Sequence, residues 1–99
     1  MQLVWTEEAL KQLLEIEDFI AKDSRKRAAE FIDQLVNYAE KALPDNPRLG
    51  RVVPEVAHPE IRELLFRKYR IVYRLKGKHL EILTVFEGHR LLPTDEINA

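Results

Sequence analysis

Three groups able to move a proton and two permanent cations stand out in this chain. Glu55, Glu63 and His89 are the candidate acids and bases, and Arg70 and Arg90 the candidate cations. Cutting RNA at its own 2′-hydroxyl needs a base, an acid and a cation to meet the phosphorane charge, and no metal. The remaining histidines fit that chemistry poorly. His58 lies beside Pro59 in a loop context, and His79 sits next to a hairpin turn where water reaches it. Glu63 is placed to neutralise Arg70 or Arg74. The three histidines are scattered without paired spacing, so no metal site is expected. With no glycine-rich phosphate loop and no nucleophile elbow, no cofactor is expected either.

A second pattern is charge. Between residues 61 and 78 the chain carries Arg62, Arg67, Lys68, Arg70, Arg74, Lys76 and Lys78 against Glu63 alone. Arg67, Lys68, Arg70, Arg74 and Lys76 are candidates for tracking phosphates or another anionic target. The competing reading is a solvated strand face whose charges discourage edge pairing. Net charge is only −1, yet residues 1–45 hold six Lys/Arg and ten Asp/Glu, while residues 46–90 hold ten and five. Local fields, not the total, govern binding.

These residues must be positioned by short elements. Gln2 to Trp5 alternates as a first strand. Thr6 caps a helix running to about Lys22, with Glu7 and Glu8 in its electropositive first turn. Ala9, Leu13, Ile16 and Ile20 recur at helical spacing. Asp23 or Ser24 breaks and recaps the chain, and a second helix follows to about Leu43, with the stripe Ala28, Phe31, Ile32, Leu35 and Ala39. The short connection predicts an antiparallel helical hairpin. Pro44 to Gly50 is turn-rich, and Arg51 to Glu55 is a short edge strand limited by Pro54. Strands fill Ile61 to Arg90. The expected architecture is a single α+β domain over residues 1–99, β-α-α-β-β-β, with the hairpin packed on one face of a mainly antiparallel twisted sheet.

Gly77-Lys78 suits a two-residue turn. That register sets Lys76 opposite His79, Arg74 opposite Glu81, Tyr73 opposite Ile82 and Arg70 opposite Val85. Tyr69, Ile71 and Tyr73 then face the helices, and the Arg70 face is left open. On a straight strand His89 would lie roughly 13 Å past Arg70's partner. A joint site therefore requires Gly88 to bend the strand back.

Composition agrees with a small globular protein. Of the residues, 45% are apolar and 33% charged, and there is no cysteine. No apolar run approaches the roughly 20 residues of a membrane helix, and no signal peptide opens the chain. A cytoplasmic location without membrane association is expected.

The order and spacing of several short segments resemble the RelE/ParE superfamily of bacterial toxins across nearly the whole chain. They are the opening strand with Trp5, the helical hairpin, Gly50-Arg51-Val52-Val53-Pro54-Glu55, Ile61-Arg62-Glu63-Leu64, Tyr69-Arg70-Ile71-Val72-Tyr73, and Ile82-Leu83-Thr84-Val85 leading to Gly88-His89-Arg90. The resemblance implies the toxin half of a type II toxin–antitoxin module, and hence growth arrest and a cognate antitoxin as partner. RelE-like members cut mRNA on translating ribosomes, whereas ParE-like members inhibit DNA gyrase. Arg70 matches the arginine that the nucleases use in this strand, and Arg90 their late arginine. Where RelE has two lysines in the preceding strand, this chain has Ile61 and Glu63, and Leu91-Leu92-Pro93 follows Arg90 without the late tyrosine. A YoeB-like nuclease branch would assign Glu55 as base and His89 as acid, with Arg70 and Arg90 on the phosphate. The late Gly-His-Arg followed by Leu and Pro is closer to the ParE branch. Gyrase inhibition is therefore favoured, with the ribosome-dependent endoribonuclease as alternative and a toxin-like domain without activity as the third reading. The resemblance also implies an antitoxin segment that folds beside the helical hairpin and over the basic sheet face, with acids opposite Arg70 or Arg74.

Overall fold

The computed structural model describes residues 1–88. Two helices lie on one face of a five-stranded sheet, giving the expected α+β arrangement. Strand β1 is Gln2–Trp5, β2 Arg51–Val52, β3 Ile61–Phe66, β4 Tyr69–Lys76 and β5 His79–Glu87. Helix α1 is Glu7–Ala21 and α2 Arg25–Ala42. Both helix starts are capped as the side chains dictate. Thr6 Oγ1 accepts from the Ala9 N–H, and Ser24 Oγ from the Arg27 N–H, each satisfying a donor that the first turn leaves orphaned.

The sheet order is β1-β5-β4-β3-β2. Among the described strands only the β1–β5 pair is parallel. The helices bury Ala9, Leu13, Leu35 and Ala39 against Leu64, Tyr69, Ile71, Tyr73, Leu80 and Ile82. Between α2 and β2 the linker is pinned by one buried hydroxyl: Tyr73 donates to Pro47 O at 2.8 Å and accepts from the Gly50 N–H at 2.9 Å. Residue 50 has to be glycine here, because a Cβ would stand 2.4 Å from Glu63 O.

Three expectations are corrected. First, β2 is shorter than Arg51 to Glu55. Pro54 has no N–H to give a ladder, and the chain turns at once, with the Ala57 N–H donating to Val53 O at 2.8 Å. Second, the β4–β5 register holds from the turn to Tyr73–Ile82 and then shifts, with Val72 opposite Thr84. Leu83 is an extra residue, so Arg70 faces Phe86 and not Val85. The shift moves Val85 into the helix-side core opposite Ile71, a place that an unbroken ladder would give to Thr84. Gln12 of α1 stabilises the bulge: its Oε1 accepts both the Thr84 hydroxyl and the Val85 N–H. Third, the Arg70 face is covered. Val53, Ile61, Val72 and Phe86 form a second small core there, with Val56 and Leu83 packed against it.

Candidate functional site

Under that second core lies an ion-pair cluster. Arg70 projects from β4 and is only 5% exposed. Its Nη1 and Nη2 donate to the two carboxylate oxygens of Glu55, each at 2.9 Å. Its Nε donates to Glu63 Oε1 at 2.6 Å, and Nη2 approaches the same oxygen at 2.5 Å. The other oxygen of Glu63 accepts from Arg51 Nε at 2.5 Å. The guanidinium also lies 4.9 Å from the centre of the Phe86 ring, a favourable cation–π placement.

Local structure makes this arrangement unavoidable. Glu63 sits opposite Val72 on the neighbouring strand and opposite Arg51 on the other side, so its side chain shares a face with Arg70. The tight β3–β4 turn, with Arg67 in the left-handed region at φ 53°, sets that register. The Glu63 side chain has no exposed surface, and a buried carboxylate is tolerated only when paired. Two arginines and two glutamates cancel in formal charge. The hydrogen bond that Arg70 donates to Glu55, ahead of the opposing effect of burial, holds the Arg70 guanidinium above the usual arginine range. Arg70 is thus a charged tie between β3, β4 and the loop after β2.

The predicted residues separate in space. Glu55 and Arg70 are brought together, and Glu63 neutralises Arg70, as its place on β3 implied. Sequence reading did not find Arg51 or Phe86. Arg51 follows the glycine that admits the close approach, and Phe86 is displaced onto this face by the bulge. His89 and Arg90 lie outside the described residues. The strand leading to them runs past Arg70: the Gly88 N–H donates to Lys68 O at 2.6 Å, and a Cβ at Gly88 would meet Arg70 Cγ at 3.5 Å.

The five basic candidates do not form one open strip. Arg74 pairs with Glu81 at 2.7 Å, and that hydrogen bond holds the Glu81 carboxyl below the usual range. Arg67 turns to the helix side, 5.4 Å from the Phe31 ring and 5.3 Å from the Phe66 ring, and donates to Gln34 at 2.8 Å. Lys68 Nζ stands over Tyr69 at 5.9 Å, and Lys76 is exposed beside the hairpin turn. His58 is a loop residue whose Nδ1 accepts from the Glu60 N–H. Among the described residues no three His, Cys, Asp or Glu side chains cluster as a metal would require, and no helix is long and apolar enough to cross a membrane.

Comparison with known proteins places this architecture. The model of the family described as ParE toxin of type II toxin–antitoxin system, parDE, matches residues 3–92. No curated protein sequence matches the chain. Among solved structures, it is similar to a chain from the chromosomal ParDE TA system from P. aeruginosa, with TM-score 0.73 and 28% identity over 88% of this chain and 95% of that one. With the family match running through both helices and all five strands, the chain belongs to the ParE toxin family of type II toxin–antitoxin systems.

Proposed function

We propose that this toxin arrests growth by inhibiting DNA gyrase, and that a cognate antitoxin holds it inactive. The observation that carries the choice of target is the state of Arg70. A nuclease of this fold needs that guanidinium on a phosphate. Here it is bound by Glu55 and Glu63 and shut from water. Withdrawing it would take one of two ion-pair partners from the buried Glu63, at a cost of up to about 3–5 kcal/mol. That is a penalty of roughly two to four orders of magnitude on phosphate binding. A protein-directed inhibitor has no such requirement, and the cluster then serves to brace the sheet.

The endoribonuclease remains the second reading, because Glu55 and Arg70 do lie side by side and the Glu55 side chain is 19% exposed. In that case Glu55 would take the 2′-hydroxyl proton, and His89 and Arg90 would serve leaving group and phosphate. A paired assay separates the two: gyrase supercoiling with purified toxin, and mRNA cleavage on translating ribosomes. Loss of supercoiling with intact mRNA is the expected result. Untouched supercoiling at excess toxin, with cleaved message, rejects the gyrase reading.

A further inference from the structure

The start of α2 runs against its own electrostatics. Arg25, Lys26 and Arg27 fill its first turn with no acid beside them, whereas α1 opens with Glu7 and Glu8. The N-terminal end of a helix carries partial positive charge, so a cation there forfeits the roughly 0.3–1 kcal/mol that an acid would contribute. Lys22 precedes the three, so residues 22–27 hold four cations against Asp23 alone. All four cations are exposed. Totals over half the chain hide this run, because residues 1–45 hold more acids than bases.

The fold adds a fifth cation from a distant part of the sequence. Arg67, in the β3–β4 turn, lines one hollow of about 380 Å³ together with Arg27, Ile20, Phe31 and the acid Glu30. Its guanidinium is fixed there by the Phe31 and Phe66 rings and by Gln34. The ion pairs among the described residues are made by Arg48, Arg51, Arg70 and Arg74, and by none of these five. Geometry then decides the class of ligand. Successive helical residues point about 100° apart, so the side chains of Arg25, Lys26 and Arg27 fan through about 200°. Such a fan cannot close on one small anion. Nor does the helix end offer its own amide, since the Arg27 N–H already donates to Ser24 Oγ. A row of phosphates along a nucleic-acid backbone fits the fan, each cation releasing counterions from a separate phosphate. Lysine, by contrast, is depleted where proteins meet proteins.

We propose that this end of the toxin, with Lys22, Arg25, Lys26, Arg27 and Arg67, rests on the phosphate backbone of duplex DNA held by gyrase. The identity of the polyanion rests on the gyrase reading above, because that enzyme works on duplex DNA. Phosphate contacts position a protein without reading bases, so inhibition requires no particular DNA sequence.

The test compares full-length toxin with two double variants of equal charge change, Lys26→Gln with Arg27→Gln at this end, and Lys11→Gln with Lys41→Gln elsewhere. Fluorescence anisotropy follows binding to a short labelled DNA duplex, and to single-stranded RNA of equal length, over a range of salt concentrations. Supercoiling by purified gyrase gives the toxin concentration for half inhibition. Urea unfolding confirms that the Lys26/Arg27 variant is at least as stable as wild type, since its helix start is relieved of like charge. Wild-type toxin should bind the duplex, and the Lys26/Arg27 variant should lose about 2 from the slope of log K against log salt. The same variant should need at least about tenfold more toxin for half inhibition, with the Lys11/Lys41 variant within about threefold of wild type. A Lys26/Arg27 variant that inhibits as well as wild type overturns the proposal while leaving the gyrase reading intact. So does wild-type toxin that leaves the duplex unbound at low salt, or that prefers the RNA. Equal weakening of both variants overturns it too, by tracing the effect to net charge. If the Lys26/Arg27 variant loses as much affinity for DNA-free gyrase as it loses inhibition, the patch meets an acidic protein surface, which also overturns it. Wild-type toxin that leaves supercoiling untouched overturns both readings.

Discussion

Replacing Arg70 by alanine separates a bracing role from a phosphate-binding one. The substitution leaves Glu63, with no exposed side-chain surface, holding its ion pair with Arg51 but not the one with Arg70, and removes the tie that holds the loop carrying Glu55. Removing one partner of a buried pair costs about 3–5 kcal/mol, a large share of the roughly 5–15 kcal/mol that a domain of this size has to lose. At about 4–8 °C per kcal/mol, the melting temperature should fall by some 12–40 °C. Urea unfolding followed by circular dichroism measures the loss. A companion variant, Arg70→Met with Glu63→Leu, replaces both charges by apolar groups of similar size and should recover much of the stability. Arg70→Ala that unfolds within about 1 kcal/mol of wild type, yet no longer slows growth, would refute the reasoning. It would mean that the guanidinium is spent on a target and not on the sheet.

Two further outcomes follow from the geometry. Tyr73→Phe removes the acceptor of the Gly50 N–H and the donor to Pro47 O in one step, and should destabilise the domain by about 1–3 kcal/mol in urea. Acid dependence should come in part from Glu81. Its carboxyl is held below the ordinary range by Arg74, so the pair contributes above the unfolded-state value and is lost as pH falls through the lowered one. Both side chains are about a quarter exposed, which keeps the effect under about 1 kcal/mol. Comparing urea midpoints at pH 7 and pH 3, Glu81→Gln should show a smaller drop than wild type; an equal drop would place the acid sensitivity elsewhere.

The parts of this fold that sequence revealed were those governed by near neighbours. Thr6 and Ser24 cap helices through hydrogen bonds three residues away, and Gly77 at φ 60° turns a hairpin whose first four pairs follow by counting. Counting failed at Leu83 because the bulge is decided by Gln12, on a helix packed from the far end of the chain. The covered face was missed for a related reason. Val53 read as part of a short edge strand limited by Pro54, and only the fold brings it and Val56 over Val72 and Phe86. Pairing of Glu63 with Arg70 was accessible from strand alternation once the β3–β4 turn was taken as tight. The completing members, Glu55 and Arg51, come from a loop and a two-residue strand with no periodicity to read.

The place of β5 in the sheet bears on how the polypeptide is made. β5 lies between β4 and β1, and it is the only described strand that β1 touches. Residues 2–5 therefore wait for residues 79–82 before they have a described strand neighbour. At about 5–20 residues per second, a ribosome needs several seconds to reach that point. During that interval the helical hairpin can form from local contacts, while the sheet it must rest on lacks an inner strand. Truncated products ending before His79 would lack the seam between β1 and β4. A cell making this protein thus encounters its folded form in one step, after synthesis has passed residue 87, and not by degrees as the chain emerges.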